Sequence, residues 1–143
     1  MNATNLVYPM AAMVLLTVVV LIKMYRARVA AVRSGQIEIE YFRLHQGARE
    51  PESSHKFSRH FINLFEVPTL FYVACLGAMI AGVVTPVMVG LAWAYVLVRV
   101  AHAYIHLGAN RLRLRRNAFA IGWLVLLGMW GYLSISVALR GTP

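Results

Sequence analysis

At 143 residues with one cysteine, the chain has the size of a single domain and no partner for an intramolecular disulfide. A hydrophobic fraction of 60% with only 13% charged residues, and a mean hydropathy of +0.65, exclude an ordinary soluble domain and point to an integral membrane protein. The net charge of +9 does not signal nucleic acid, since no basic platform interleaved with aromatics is present. The charge is instead confined. Of the 14 Lys and Arg residues, Arg140 is the only one near the chain ends or the turn at 82–86, and all others except Arg99 fall in two loops and their flanks. That asymmetry is the positive-inside pattern.

The first predicted helix covers about 6–33. Its apolar run, 6–22, has no positive residue before it and Lys23, Arg26, Arg28 and Arg33 after it. A cleavable signal peptide has the opposite polarity, so this run reads as a transmembrane helix with its N-terminus outside. Ser34-Gly35 ends it. A polar loop follows at 34–56, on the cytoplasmic side, with Glu38, Glu40, Glu50 and Glu52, and with Gly47 and Pro51 suited to irregular chain. The second helix is predicted over 57–81. Pro68 lies inside it, where the missing donor should bend or open the helix just after Glu66. Cys75, mid-membrane, reads as a small packing residue. After a tight external turn at 82–86, the third helix covers 87–107 and stops at Gly108. The basic connection 111–116 leads into a fourth helix at 117–139, whose Gly122, Gly128, Gly131, Ser134 and Ser136 permit close approach. The expected architecture is all-α: a single four-helix transmembrane bundle with both termini outside, thin enough to favour lateral assembly.

Two polar faces interrupt the apolar helices. Arg59, Asn63 and Glu66 stand at i, i+4 and i+7, within about 20° of one another on a helix. A carboxylate two turns inside an apolar run costs about 2.5 kcal/mol or more in lipid, so Glu66 should face protein or water and meet a cation. Arg99, His102 and His106 share a face on the third helix. Counted from the basic end of antiparallel helices, Glu66 and Arg99 both lie roughly 14 Å deep at about 1.5 Å per residue. A buried Glu66–Arg99 pair is therefore expected, either as part of a binding site or as a structural network tying the helices. For His102 and His106, a metal would need a third ligand at matching depth. None is evident beyond Glu66, so no metal is expected. Most of the 111–116 arginines suit snorkelling and contact with lipid headgroups.

With these residues in view, the sequence resembles the MAPEG family, membrane-associated proteins in eicosanoid and glutathione metabolism. That family has an Arg-x-x-x-Asn-x-x-Glu signature at the start of its second helix, matched by Arg59, Asn63 and Glu66. Arg99-Val100-Ala101-His102 with Leu107-Gly108, and Ile22-Lys23-Met24-Tyr25, are similar to the microsomal prostaglandin E synthase and glutathione transferase branch. The resemblance implies a homotrimer that binds glutathione near the cytoplasmic side, between neighbouring subunits. It implies that Arg59, Asn63, Glu66, Arg99 and His102 hold the peptide, and that an arginine at the start of the fourth helix stabilises the thiolate. Spacing from Leu107-Gly108 selects Arg115 as that catalytic residue, with Arg113 the nearest competitor. Three positions depart from the branch. His106 stands where a tyrosine contacts glutathione, Arg116 where a serine follows the arginine, and Glu38 near an expected arginine. These argue against prostaglandin synthesis itself. The expected function is a glutathione-dependent membrane transferase or peroxidase acting on lipophilic small molecules that arrive from the lipid. The alternative is a non-catalytic lipid-binding or scaffolding protein of the same fold.

Overall fold

The computed structural model describes residues 2–44 and 50–141. Their elements are all helices: α1 (Thr4–Arg33), α2 (Tyr41–Leu44), α3 (Glu52–Ile80), α4 (Pro86–Leu107) and α5 (Leu112–Gly141). The four long ones are long and apolar enough to cross a membrane, and α2 is a single turn. The chain is an integral, multi-pass membrane protein. Both predicted starts of the later helices move toward the N-terminus. Pro51 stands just before the first turn of α3 and Glu52 within it, where a fixed φ and a negative charge favour helix initiation. In α5 the alternating Arg and Leu residues from Leu112 onward are already helical. Gly47 lies outside the described residues.

Packing follows the apolar stripes. Leu6, Met13 and Val20, spaced seven apart, are the buried line of α1. They meet Phe71, Ala74 and Ala78 of α3, Met88, Ala92 and Tyr95 of α4, and Leu126, Met129 and Leu133 of α5 in one core. Helix α1 packs mainly on α3 and α5 mainly on α4. Each also reaches the other central helix, but the backbones of α1 and α5 do not approach one another among the described residues. Phe71 stacks on Tyr95 with ring centroids 4.8 Å apart, which fixes the antiparallel register of α3 against α4. The outer faces carry exposed Leu15, Ile80, Leu97 and Leu124, as a lipid-facing surface requires.

Pro68 does not interrupt α3, which is continuous to Ile80. Beside it, Thr69 Oγ1 donates to the Phe65 carbonyl at 2.6 Å. The α3–α4 turn is held by several polar contacts. Gly82 adopts φ 67°, Thr85 caps α4 by accepting from the Met88 N–H at 3.2 Å, and the Tyr132 hydroxyl lies 2.8 Å from Thr85 Oγ1. Arg140 Nη1 donates to the carbonyls of Gly82 at 2.8 Å and Ala81 at 3.3 Å.

Candidate functional site

At the other end of the bundle, the α4–α5 junction is shaped by two residues. A Cβ on Gly108 would stand 2.8 Å from the Tyr104 carbonyl oxygen, so only glycine lets the chain leave α4 along this path. Asn110 then takes φ 49°, and its N–H donates back to the Ile105 carbonyl at 2.9 Å. Asparagine tolerates this left-handed region better than most residues. Its side chain also has a task, since Asn110 Oδ1 accepts from Arg115 Nη1 at 2.8 Å. The turn thus draws the Arg115 guanidinium back toward α4.

Arg115 borders a cavity of about 890 Å³ between α3, α4 and α5. Lys56, Arg59, Asn63 and Glu66 line it from α3, His102 and His106 from α4, and Arg115, Arg116 and Phe119 from α5, with Asn110 at the turn and Glu52 and His55 at the rim. Four cationic side chains face two carboxylates. That balance suits a small ligand with more negative than positive groups, and guanidinium groups bind carboxylates best through paired hydrogen bonds. Apolar Ile62, Leu112 and Phe119 complete the lining.

Of the residues singled out in the sequence, Arg59, Asn63, Glu66, His102, His106 and Arg115 come together in this cavity. Arg99 stands behind it, 1% exposed. The expected direct pairing of Glu66 with Arg99 is corrected by the geometry. Arg99 Nη2 donates to Asn63 Oδ1 at 2.6 Å, and Asn63 Nδ2 donates to Glu66 Oε2 at 3.4 Å. The two depths match, but Glu66 is on the exposed side of α3, so the asparagine bridges the charges. Arg113, the competitor of Arg115, is exposed and is not part of the lining.

Two groups escaped the sequence reading. His60 is fully buried, and its Nδ1 lies 3.0 Å from Nδ1 of His106. His102 completes the cluster, with ring centroids 5.3 Å from His60 and 5.7 Å from His106. His60 lies on the face of α3 that carries Leu64 and Phe71 rather than on the Arg59–Asn63–Glu66 face, so it read as part of the apolar stripe. The available signal was a third histidine at the depth of His106. Among the described residues, no group of three or more His, Cys, Asp or Glu is arranged to hold a metal ion. The second group is a latch outside the cavity. The nearly buried Glu50 carboxylate accepts from Arg28 Nε at 3.3 Å and from Ser58 Oγ at 3.0 Å, while Arg28 Nη2 donates to Ser58 Oγ at 3.0 Å. It fastens the segment before α3 onto α1. No sequence spacing links Arg28 to Glu50, because the loop between them sets their distance.

The family model for the MAPEG family matches residues 6–135. No curated protein and no solved structure matches the chain.

Proposed function

Because the chain belongs to the MAPEG family, we propose that it is a glutathione-dependent membrane transferase or peroxidase acting on lipophilic electrophiles. The observation that carries this reading is the single cavity in which Arg59, Asn63, Glu66 and Arg115 converge. Its size lies within the roughly 300–1,000 Å³ of small-molecule sites. Glutathione brings two carboxylates, an ammonium, two amides and a thiol, and the lining has a complement for each. Arg59 and Arg116 suit the carboxylates, Glu66 the ammonium and Asn63 an amide. Arg99 acts through Asn63, holding its side-chain oxygen so that the amide nitrogen is turned to Glu66. Arg115 is the guanidinium for the sulfur. A cation beside a thiol favours the thiolate, which is the nucleophile. Bound glutathione supplies the sulfur that forms the new bond to an electrophilic carbon or is oxidised by a peroxide. His102 and His106 line the same wall and donate or accept hydrogen bonds there.

The basic end, with the cavity, faces the cytoplasm in this reading, and both termini lie outside. Glu66, Ile62 and Phe65 are exposed along α3, although an exposed carboxylate inside a spanning helix is costly in lipid. A neighbouring copy in a homotrimer covers that face and completes the site. A second reading, a non-catalytic lipid-binding or scaffolding protein, is favoured by Arg116 standing beside the candidate arginine. Arg115→Ala separates the two. With the parent protein, bound glutathione is expected to show thiolate ultraviolet absorbance near neutral pH, where free thiol with a pKa of about 8.5 shows little. The variant is expected to lose that signal while still binding glutathione, and conjugation of a lipophilic electrophile falls with it. Tight binding without thiolate in the parent below about pH 8 selects the scaffolding reading.

A further inference from the structure

A second cleft, of about 310 Å³, opens between α1 and α4, with Phe57 of α3 at one end. It shares no lining residue with the cavity beside Arg115. Val20 and Ala103 are buried and form its floor, whereas Val19 and Val100 stand exposed on its flanks. Helices α1 and α4 both run opposite to α3, so they are parallel to each other. Lys23 and Tyr104 therefore lie toward the end where α3 begins, which is the basic end of the bundle. Leu16 lines the cleft seven residues before Lys23, roughly 10 Å deeper at about 1.5 Å per residue. Among the described residues, Lys23 is the one charged side chain of the lining, and it has no ion-pair partner. A further cation stands at the same end, since Lys56 Nζ lies 5.5 Å from the centroid of the Phe57 ring.

We propose that this cleft binds an anionic phospholipid from the leaflet at the basic end, with one acyl chain between α1 and α4 and the phosphate on Lys23. Charge complementarity carries the assignment. The walls are hydrocarbon, the cation stands at one end, and no carboxylate lines the cleft. That polarity fits an anionic amphiphile in one orientation only, with its head toward the basic end. Lys23 is the first charged residue after the apolar run of α1, so its ammonium comes to the level of the headgroups. Tyr104, 83% exposed, stands on the same side, as interfacial tyrosines do, and its hydroxyl can donate to a phosphate or ester oxygen. The exposed flanks leave the cleft open to the bilayer, so the second chain of a diacyl lipid stays outside. Phospholipid is the bulk component of that bilayer, and mass action favours it over a free fatty acid. A basic side chain at the membrane surface shifts affinity for anionic lipid by roughly fivefold, which sets the expected preference. The site stands apart from the glutathione reading and holds whether or not the protein turns over a substrate.

Lipid retention tests the assignment. The protein is purified in detergent and offered equal amounts of phosphatidylglycerol and phosphatidylcholine with identical chains. Native mass spectrometry then counts the lipid kept by each chain. The parent is expected to keep one phosphatidylglycerol in preference to phosphatidylcholine, by roughly fivefold. Lys23→Ala should make the two lipids equal, and Lys23→Arg should restore the preference. Val100→Trp, which fills the cleft from its exposed flank, should lose the retained lipid of either kind. Arg113→Ala, at an exposed arginine outside the cleft, should leave the preference as it is in the parent. A parent that keeps both lipids alike, or neither, overturns the proposal and leaves Lys23 a snorkelling side chain. A preference that survives Lys23→Ala and disappears with Arg113→Ala moves the anion to α5 and overturns it as well. So does undiminished retention in a folded Val100→Trp variant, which puts the lipid outside the cleft. A fatty acid found in place of phospholipid in the organic extract of the purified parent overturns the choice of occupant. The parent and the two variants of the exposed Lys23 decide the matter even if Val100→Trp does not fold.

Discussion

The two ends of the bundle each carry an arginine from α5, and they use it in opposite ways. Arg140 spends its guanidinium on the carbonyls of Ala81 and Gly82, closing a turn in which Thr85 and Tyr132 are also paired. Arg115 makes a single contact through Nη1 to Asn110 and keeps the rest of its planar fork beside an open cavity. Both are cations at helix–helix junctions, and charge alone would not tell them apart. The difference lies in what the neighbouring backbone leaves unsatisfied. At the Arg140 end the chain itself supplies acceptors. At the Arg115 end, four cationic side chains of the lining face two carboxylates, so donors outnumber acceptors.

The contrast is broken most severely at Arg99, which supports the cavity from behind. Arg99→Ala removes a buried side chain and strips Asn63 Oδ1 of its 2.6 Å donor, a loss of about 3 kcal/mol on the scale of buried charged hydrogen bonds. A melting temperature in detergent equal to the parent's would sink this account of the Arg99–Asn63–Glu66 chain. A smaller effect is expected at the turn. Gly108→Ala pushes a Cβ against the Tyr104 carbonyl at a cost of about 1–3 kcal/mol. Because Asn110 moves with the turn, thiolate absorbance of bound glutathione should weaken more than its binding. Equal losses of both would show that the turn does not position Arg115. The smallest change belongs to the closed end. Arg140→Ala should cost less than about 1 kcal/mol and leave the glutathione dissociation constant unaltered. A calorimetric titration that finds weakened binding would mean that the two ends are coupled.

Much of this was legible before any coordinates. The apolar runs announce four spanning helices, and the spacing of Arg59, Asn63 and Glu66 brings them to one face because helical periodicity is local. The depth of Arg99 was also readable, since counting residues along antiparallel helices needs only a constant rise. What counting does not give is azimuth. Glu66 and Arg99 share a level but not a side, and the rotation of α3 about its own axis is set by the core residues Phe71, Ala74 and Ala78. His60 was hidden for the same reason, because it shares the buried side of that helix. Glu50 was hidden for another. Its contacts cross from the loop to α1, and no periodic signal survives an irregular segment.

The separation of α1 from α5 has a consequence for the order in which the chain assembles. The three helices α3, α4 and α5 are joined by short turns, so their contacts close small loops and form at little entropic cost. Helix α1 is joined through the longest connection and, among the described residues, its backbone approaches α3 and α4. The cavity residues belong to α3, α4, α5 and the turn between the last two. The cavity walls are thus built by the part of the chain whose connections are short, and α1 lines none of them.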